Sequence, residues 1–256
     1  MSGYGSAYAE TSEVDMIVLL TDFGDSEYVG VMKGVIYRCA PDAKVVDLCH
    51  TIQPQSIIEG SWILKNNYKY FPEGATFCCV VDPGVGTERK AIAVKTESYY
   101  FVGPDNGLTW ETLAEQKIIE IRQITVGADA SRTFHGRDVF AKAAAQIEKG
   151  EFESTGDKTE AIEKLEFYKK DREGIVVRID QFGNIITNLT GQGKNKYHVE
   201  TAENKYTMNF YANYDSAKEG ELFLIEGSSN TLEISLKNGN ANEQLRMKPG
   251  EKIKIS

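Results

Sequence analysis

Two kinds of hydrophobic pattern alternate through the first part of the chain. The runs Met16-Ile17-Val18-Leu19-Leu20, Lys44-Val45-Val46-Asp47-Leu48 and Ala75-Thr76-Phe77-Cys78-Cys79-Val80-Val81 are short and mostly apolar. The last has no polar face and predicts a strand buried on both sides of a sheet. Between the runs, Val29, Met32, Val35 and Ile36 recur at helical spacing behind Ser26. That helix is expected to stop before Pro41, because the residue before a proline resists the helical conformation. Residues 56–70 repeat the pattern with Ile57, Trp62, Ile63 and Leu64, and a small-residue helix is expected over 139–145. Residues 91–95 and 99–102 read as a hairpin. Strands alternating with helices imply right-handed βαβ units and a largely parallel sheet.

From residue 150 to 171 charge replaces this rhythm, with Glu151, Glu153, Asp157, Lys158, Glu160, Glu163 and Lys164 in close succession. A linker belongs there. It divides an α/β domain over residues 16–170 from an all-β domain over 171–256, and residues 1–15 are set aside as a disordered leader or tag remnant. In the second domain short alternating stretches at 175–179, 221–225, 232–236 and 252–255 are separated by turn signals such as Gln192-Gly193 and Asn238-Gly239. This is the texture of a small antiparallel barrel or sandwich.

The chemistry-bearing residues sit where the predicted strands end. Thr21-Asp22-Phe23-Gly24-Asp25, Asp82-Pro83-Gly84-Val85-Gly86 and Gly103-Pro104-Asp105-Asn106-Gly107 each set acids and glycines directly after a strand. A single such loop is equally well read as a β-turn whose Asp caps its own backbone. Three at the carboxyl edge of one sheet are a ligand site, since that edge is where open α/β sheets bind. Phe134-His135-Gly136-Arg137-Asp138 precedes the small-residue helix, a suitable place for acid–base or orienting work by the histidine. In the second domain Asp180-Gln181-Phe182-Gly183-Asn184 groups an acid, an aromatic ring and an amide.

Composition narrows the partners. Against 38 Asp and Glu stand 29 Lys and Arg, a net charge of −9, which argues against nucleic acid and anionic membranes. No apolar run approaches the roughly 18 residues of a membrane span, and residues 1–15 lack the apolar core of a signal peptide. Cys39, Cys49, Cys78 and Cys79 lack metal or redox spacing and read as reduced residues of a cytoplasmic protein. Its other histidines, His50 and His198, have no ligand-like spacing, so no metal and no cofactor is expected.

Taken together, Thr21-Asp22-Phe23-Gly24, Val81-Asp82-Pro83-Gly84-Val85-Gly86 with Arg89, Gly103-Pro104-Asp105-Asn106-Gly107, Phe134-His135-Gly136-Arg137-Asp138 and Phe182-Gly183-Asn184 with Thr187-Asn188 resemble the adenosine-forming S-adenosyl-L-methionine hydrolases. That family is related to the fluorinase and chlorinase enzymes, and the resemblance runs from Met16 to the C-terminus. It implies attack of water on the ribose C5′ of S-adenosylmethionine, giving adenosine and methionine. It further implies Asp82, Arg89 and His135 as the water-activating set, with His135 orienting the water or accepting its proton. Asp22 would hold the ribose hydroxyls, Asp180 the methionine ammonium, Asn184 the adenine edge, and Phe182 with Tyr214 the purine faces. Ser228 and Ser229 stand where the family binds the methionine carboxylate, but the arginine that follows the serine in the halogenating relatives is missing. The family implies a homotrimer with sites shared between subunits. Two other readings are a halide-using transferase of the same fold, disfavoured because Asp82 would repel a halide, and a non-catalytic adenosine or S-adenosylmethionine binder. A metal phosphoesterase would need histidine ligands that the chain lacks.

Overall fold

The computed structural model describes residues 16–256, so the leader expected over residues 1–15 lies outside the described residues. Seven strands make a first sheet: β1 (Met16–Thr21), β2 (Lys44–Cys49), β3 (Thr76–Val80), β4 (Ala91–Thr96), β5 (Tyr100–Pro104), β6 (Ile118–Ile124) and β7 (Gly156–Lys158), in the order β2-β1-β3-β5-β4-β6-β7. The neighbours β2, β1, β3 and β5 pair in parallel, while β4 pairs antiparallel with both β5 and β6, and β7 antiparallel with β6. Five strands therefore run one way and only β4 and β7 the other. The loops after β1, β3, β5 and β6 all emerge at one edge.

Helices cover both faces, as the unbroken apolar strands require. On one side α1 (Glu27–Cys39) and α4 (Ala141–Glu148) bury Met32, Ile36, Phe140 and Ala144 against Ile17, Leu19 and Cys78. On the other, α2 (Ile57–Asn67) and the short α3 (Trp110–Leu113) bury Ile63, Leu64 and Leu113 against Val18, Leu20, Phe77 and Cys79. Alternation along β3 sends Cys78 into the first layer and Cys79 into the second. Both thiols are wholly buried, and burial pushes that of Cys78 up to about 12.

The chain then adds β7 to the sheet edge, an element unforeseen because Gly156-Asp157-Lys158 carries no apolar residue. It passes through residues 159–172 into a closed barrel of β8 (Glu173–Ile179), β9 (Ile185–Thr187), β10 (Lys196–Glu200), β11 (Lys205–Phe210), β12 (Leu222–Glu226), β13 (Leu232–Leu236) and β14 (Lys252–Ile255), in the order β10-β11-β12-β13-β9-β8-β14. Closure answers the choice between barrel and sandwich. All pairings are antiparallel except β11 with β12, which run parallel. A short helix, α5 (Ala241–Leu245), follows β13, with Asn240 accepting from the Glu243 N–H as its N-cap. Trp62 and Ile58 of α2 pack with Ile175, Val177, Ile186 and Phe167, so α2 joins sheet and barrel.

Candidate active site

Asp82 follows β3 by two residues, in a loop tied to the chain after β6 by a close approach. Gly86 holds φ +75°, and a β-carbon there would lie 2.2 Å from the Arg132 carbonyl oxygen. Only glycine permits that approach, which brings the loop of Asp82 against the loop of His135. Arg89 then returns over the loop and binds Asp82 through both ends of its fork. Its Nε donates to Oδ1 at 2.9 Å and to Oδ2 at 3.1 Å, while Nη2 donates to Oδ2. The same Nη2 donates at 2.8 Å to Nδ1 of His135.

That last bond decides the state of the histidine. Arginine has no acceptor, so Nδ1 must offer its lone pair and the ring proton must reside on Nε2. Burial lowers the His135 pKa from its ordinary 6.5, the adjacent Arg89 cation lowers it further, and Asp82 and Asp138 only partly offset this. His135 is 7% exposed. Its loop is clamped from behind by Asp138, which accepts two bonds from Arg137 and one from the Ser131 N–H. The Arg137 guanidinium, with the Ser131 N–H and the nearby Lys142, holds the Asp138 carboxyl down at about 2. A π-helical turn over Gly136–Phe140 follows His135 immediately, and such turns insert one residue to redirect a side chain.

A cleft of about 290 Å³ opens onto this group, lined by Asp22, Tyr28, Gln55, Asp82, Phe134 and His135 among others. Arg89 does not line it and sits behind the two groups it joins. Asp22 accepts the Gln55 N–H at 2.7 Å through Oδ2, and its carboxylate lines the cleft. Burial raises its pKa, with the nearby Asp82 charge adding to the effect. Gln55 presents that N–H from a left-handed backbone, φ +66°, a strain of the kind that collects at binding sites. Phe23, Tyr28 and Phe134 pack edge-to-face as one apolar wall. The third acidic loop does another job. Asp105 accepts the Glu163 N–H at 2.7 Å, and Asn106 donates to the Val81 carbonyl at 2.9 Å, so this pair braces the linker and the base of the Asp82 loop.

The other predicted residues are on the barrel, and none of them lines the cleft. Asp180 follows β8 directly and folds its loop onto itself, with Oδ1 accepting from the N–H groups of Phe182 and Asn184 and Oδ2 from the Asn184 amide. Asn184 keeps its side-chain oxygen for another partner. Gly183 at φ +80° completes the turn, where a β-carbon would overlap the Asn240 amide. Phe182 and Tyr214 present their rings at 66% and 48% exposure, Tyr214 meeting Phe223 edge-to-face. Ser228 and Ser229 lie in the turn between β12 and β13. Glu233 had no place in the sequence reading. Alternation in Leu232-Glu233-Ile234-Ser235-Leu236 assigns it to solvent, yet it is buried beside Asp180, and that burial together with the Asp180 charge pushes its carboxyl up to about 7.

Residues 17–156 match the SAM hydroxide adenosyltransferase N-terminal domain, and residues 174–254 match its C-terminal domain. The chain belongs to this family. The (R)-S-adenosyl-L-methionine hydrolase of Methanocaldococcus jannaschii is 36% identical over 269 residues, covering 97% of this chain and 98% of that one. A fluorinase of Nocardia brasiliensis is a more distant relative, 27% identical over 68% of this chain and 71% of its own. Among solved structures, an uncharacterized conserved protein from Thermotoga maritima superposes with a TM-score of 0.85 at 35% identity, over 94% of this chain and all of that one. The SAM hydroxide adenosyltransferase match accounts for both halves of the fold, the sheet and the barrel. Among the described residues no helix is long and apolar enough to cross a membrane.

Proposed function

We propose that the protein hydrolyses S-adenosyl-L-methionine to adenosine and L-methionine, with water attacking C5′ of the ribose. One observation carries the mechanism: Arg89 bridges Asp82 and His135 at the wall of the cleft. A water between Asp82 and His135 finds an acceptor in the carboxylate and a donor in Nε2–H. Asp82 takes the proton as the water oxygen bonds to C5′. The C5′–S bond breaks with its electron pair moving to sulfur, which leaves as the neutral thioether of methionine. The leaving group needs no acid. The reaction destroys the sulfonium charge, so a dry cleft favours it over the same step in water. His135 orients rather than accepts, since protonation at Nδ1 would set it against Arg89. A carboxylate at position 82 also opposes the approach of a halide. Asp22 holds the ribose hydroxyls with its carboxylate.

The purine and the amino-acid end are bound by the barrel of a second copy, within a homotrimer. Support for this is the separation of the two residue sets: Asp22, Asp82 and His135 share a cleft that none of Asp180, Phe182, Asn184, Tyr214, Ser228 and Ser229 lines, while the barrel set presents exposed aromatic rings. Pockets completed between subunits are a common solution. The four free cysteines fit a reducing, cytoplasmic setting. The test of the chemistry is turnover in ¹⁸O-water. Attack at carbon puts the label in the adenosine 5′-hydroxyl; unlabelled adenosine, or no adenosine from S-adenosylmethionine, would overturn the reading.

A further inference from the structure

Asp22 has a second tether besides Gln55, and it runs through a histidine outside the cleft. Strands β1 and β2 lie in parallel register as far as Leu19 opposite Asp47; β2 then takes an extra residue, so that Leu20 stands opposite Cys49. A bulge of this kind re-aims the side chains that follow it. Carried on by one residue, the shifted register sets His50 beside Thr21, the last residue of β1 and the neighbour of Asp22. The side chains meet there, with Nδ1 of His50 at 2.8 Å from Oγ1 of Thr21. Neither residue lines the cleft.

Together they fix the backbone on either side of Asp22. Phe23 donates its N–H to Thr21 Oγ1 at 3.2 Å, and Gly24 donates its N–H to the His50 carbonyl at 2.7 Å. Further along the segment that carries His50, Gln55 donates to the Asp22 carboxylate. Thr21 is wholly buried, so its hydroxyl proton needs an acceptor, and with the oxygen already accepting from Phe23 that acceptor is Nδ1. The ring proton then resides on Nε2, which is buried 3.0 Å from Oδ1 of Asp47, off the line of a straight hydrogen bond. Oδ2 of Asp47 is in turn paired with Lys33 of α1 at 2.6 Å. The series Lys33, Asp47, His50, Thr21 thus leads from a partly exposed helix to the backbone of Asp22. Replacing both members of a buried hydrogen-bonded pair by apolar groups of the same shape is nearly neutral for stability. What the Thr21–His50 pair adds is direction, and a carboxylate that must meet two hydroxyls at once depends on direction.

We propose that His50 is a positioning residue for the substrate: through Thr21 and through its own carbonyl it sets the Asp22 carboxylate to meet both ribose hydroxyls. The inference rests on the part of the hydrolase reading that gives Asp22 the ribose. The experiment measures, by calorimetry, the affinity of adenosine and of 2′,3′-dideoxyadenosine, which lacks both hydroxyls, for the wild type and for Thr21→Val, His50→Leu and His50→Asn. Thr21→Val and His50→Leu should each weaken adenosine by roughly 10- to 100-fold, the scale of a hydrogen bond to a charged group, and leave dideoxyadenosine at its wild-type affinity. The double variant should lose little more than either single one, because the two side chains make one bond. His50→Asn, whose amide oxygen replaces Nδ1 as acceptor, should recover part of the loss, and KM for S-adenosylmethionine should rise with kcat changed far less. Equal weakening of both nucleosides, or of neither, would overturn the role of His50 while leaving the hydrolase intact. Thr21→Val exchanges only a hydroxyl for a methyl and carries the same comparison if His50→Leu fails to fold. A wild type that binds the two nucleosides equally would overturn the ribose role of Asp22 and this inference with it. A wild type that prefers adenosine but does not cleave S-adenosylmethionine would overturn hydrolysis alone, and the nucleoside comparison would still decide for or against His50.

Discussion

Arg89 donates to both of its neighbours, so neither can change protonation without disturbing the other. If Asp82, Arg89 and His135 work as one device, single replacements Asp82→Asn, Arg89→Ala and His135→Asn should each lower kcat by about 10²–10⁴-fold, the usual span for general-base catalysis. Double replacements should add little, because residues acting as a unit are strongly non-additive; additive losses in steady-state kinetics would show three independent contributions. The pH profile follows from the same bond. With the His135 pKa below 6.5, the catalytic form persists into mild acid, and the acid limb of kcat/KM should lie below that value and shift in His135→Asn. Stability carries the same sign: an unfolded imidazole binds its proton near 6.5 and the folded one only lower. The contribution of His135 is therefore present above 6.5 and is lost as the pH falls through the folded value.

At the scale of elements, the site depends on loops held by backbone contact. Gly86→Ala places a methyl against the Arg132 carbonyl at a φ of +75°, and on the order of 1–3 kcal/mol of stability should go with a clear fall in kcat. Gly150→Ala is the control, with a similar φ of +74° but open space around it, and should cost about 1 kcal/mol at unchanged kcat. Thermal unfolding with a turnover assay on each variant separates the two. Much of this architecture is legible in sequence, for reasons that differ by element. β1 and β3 are unbroken apolar runs, and α1 and α2 have clean helical spacing, so local pattern suffices. Strand β7 goes unread because it is polar and exists through pairing to the distant β6, whereas β10 and β11 form a local hairpin whose alternation buries Tyr197, Val199 and Met208 and lies between polar residues that mask it. Site residues that end strands in Asp-Gly loops stand out in the same way. Glu233 does not, because it occupies an alternation slot that normally faces water and is nonetheless buried. The loop at Asp105 and Asn106 has the look of a ligand site yet braces Val81 and Glu163, and loop composition alone does not distinguish those uses.

For the whole molecule, the proposed sharing of each site between two copies predicts that activity is a property of the assembly. An Asp82→Ala protein supplies a sound barrel, and an Asp180→Ala protein a sound cleft. Dissociated, mixed and reassembled, the two should recover a fraction of wild-type turnover at those interfaces that join the intact halves. No recovery, with mixing verified by mass spectrometry, would mean that each chain works alone. The sheet on which the cleft is built also carries its own reporter. Cys78 and Cys79 are successive residues of the central strand β3, yet one thiol is sealed beneath α1 and α4 and the other beneath α2 and α3. Neither can meet an alkylating reagent while both helical layers stay in place. Labelling under native conditions is then timed by the opening of the molecule, and the order in which two neighbouring sulfurs are modified tells which layer peels away first.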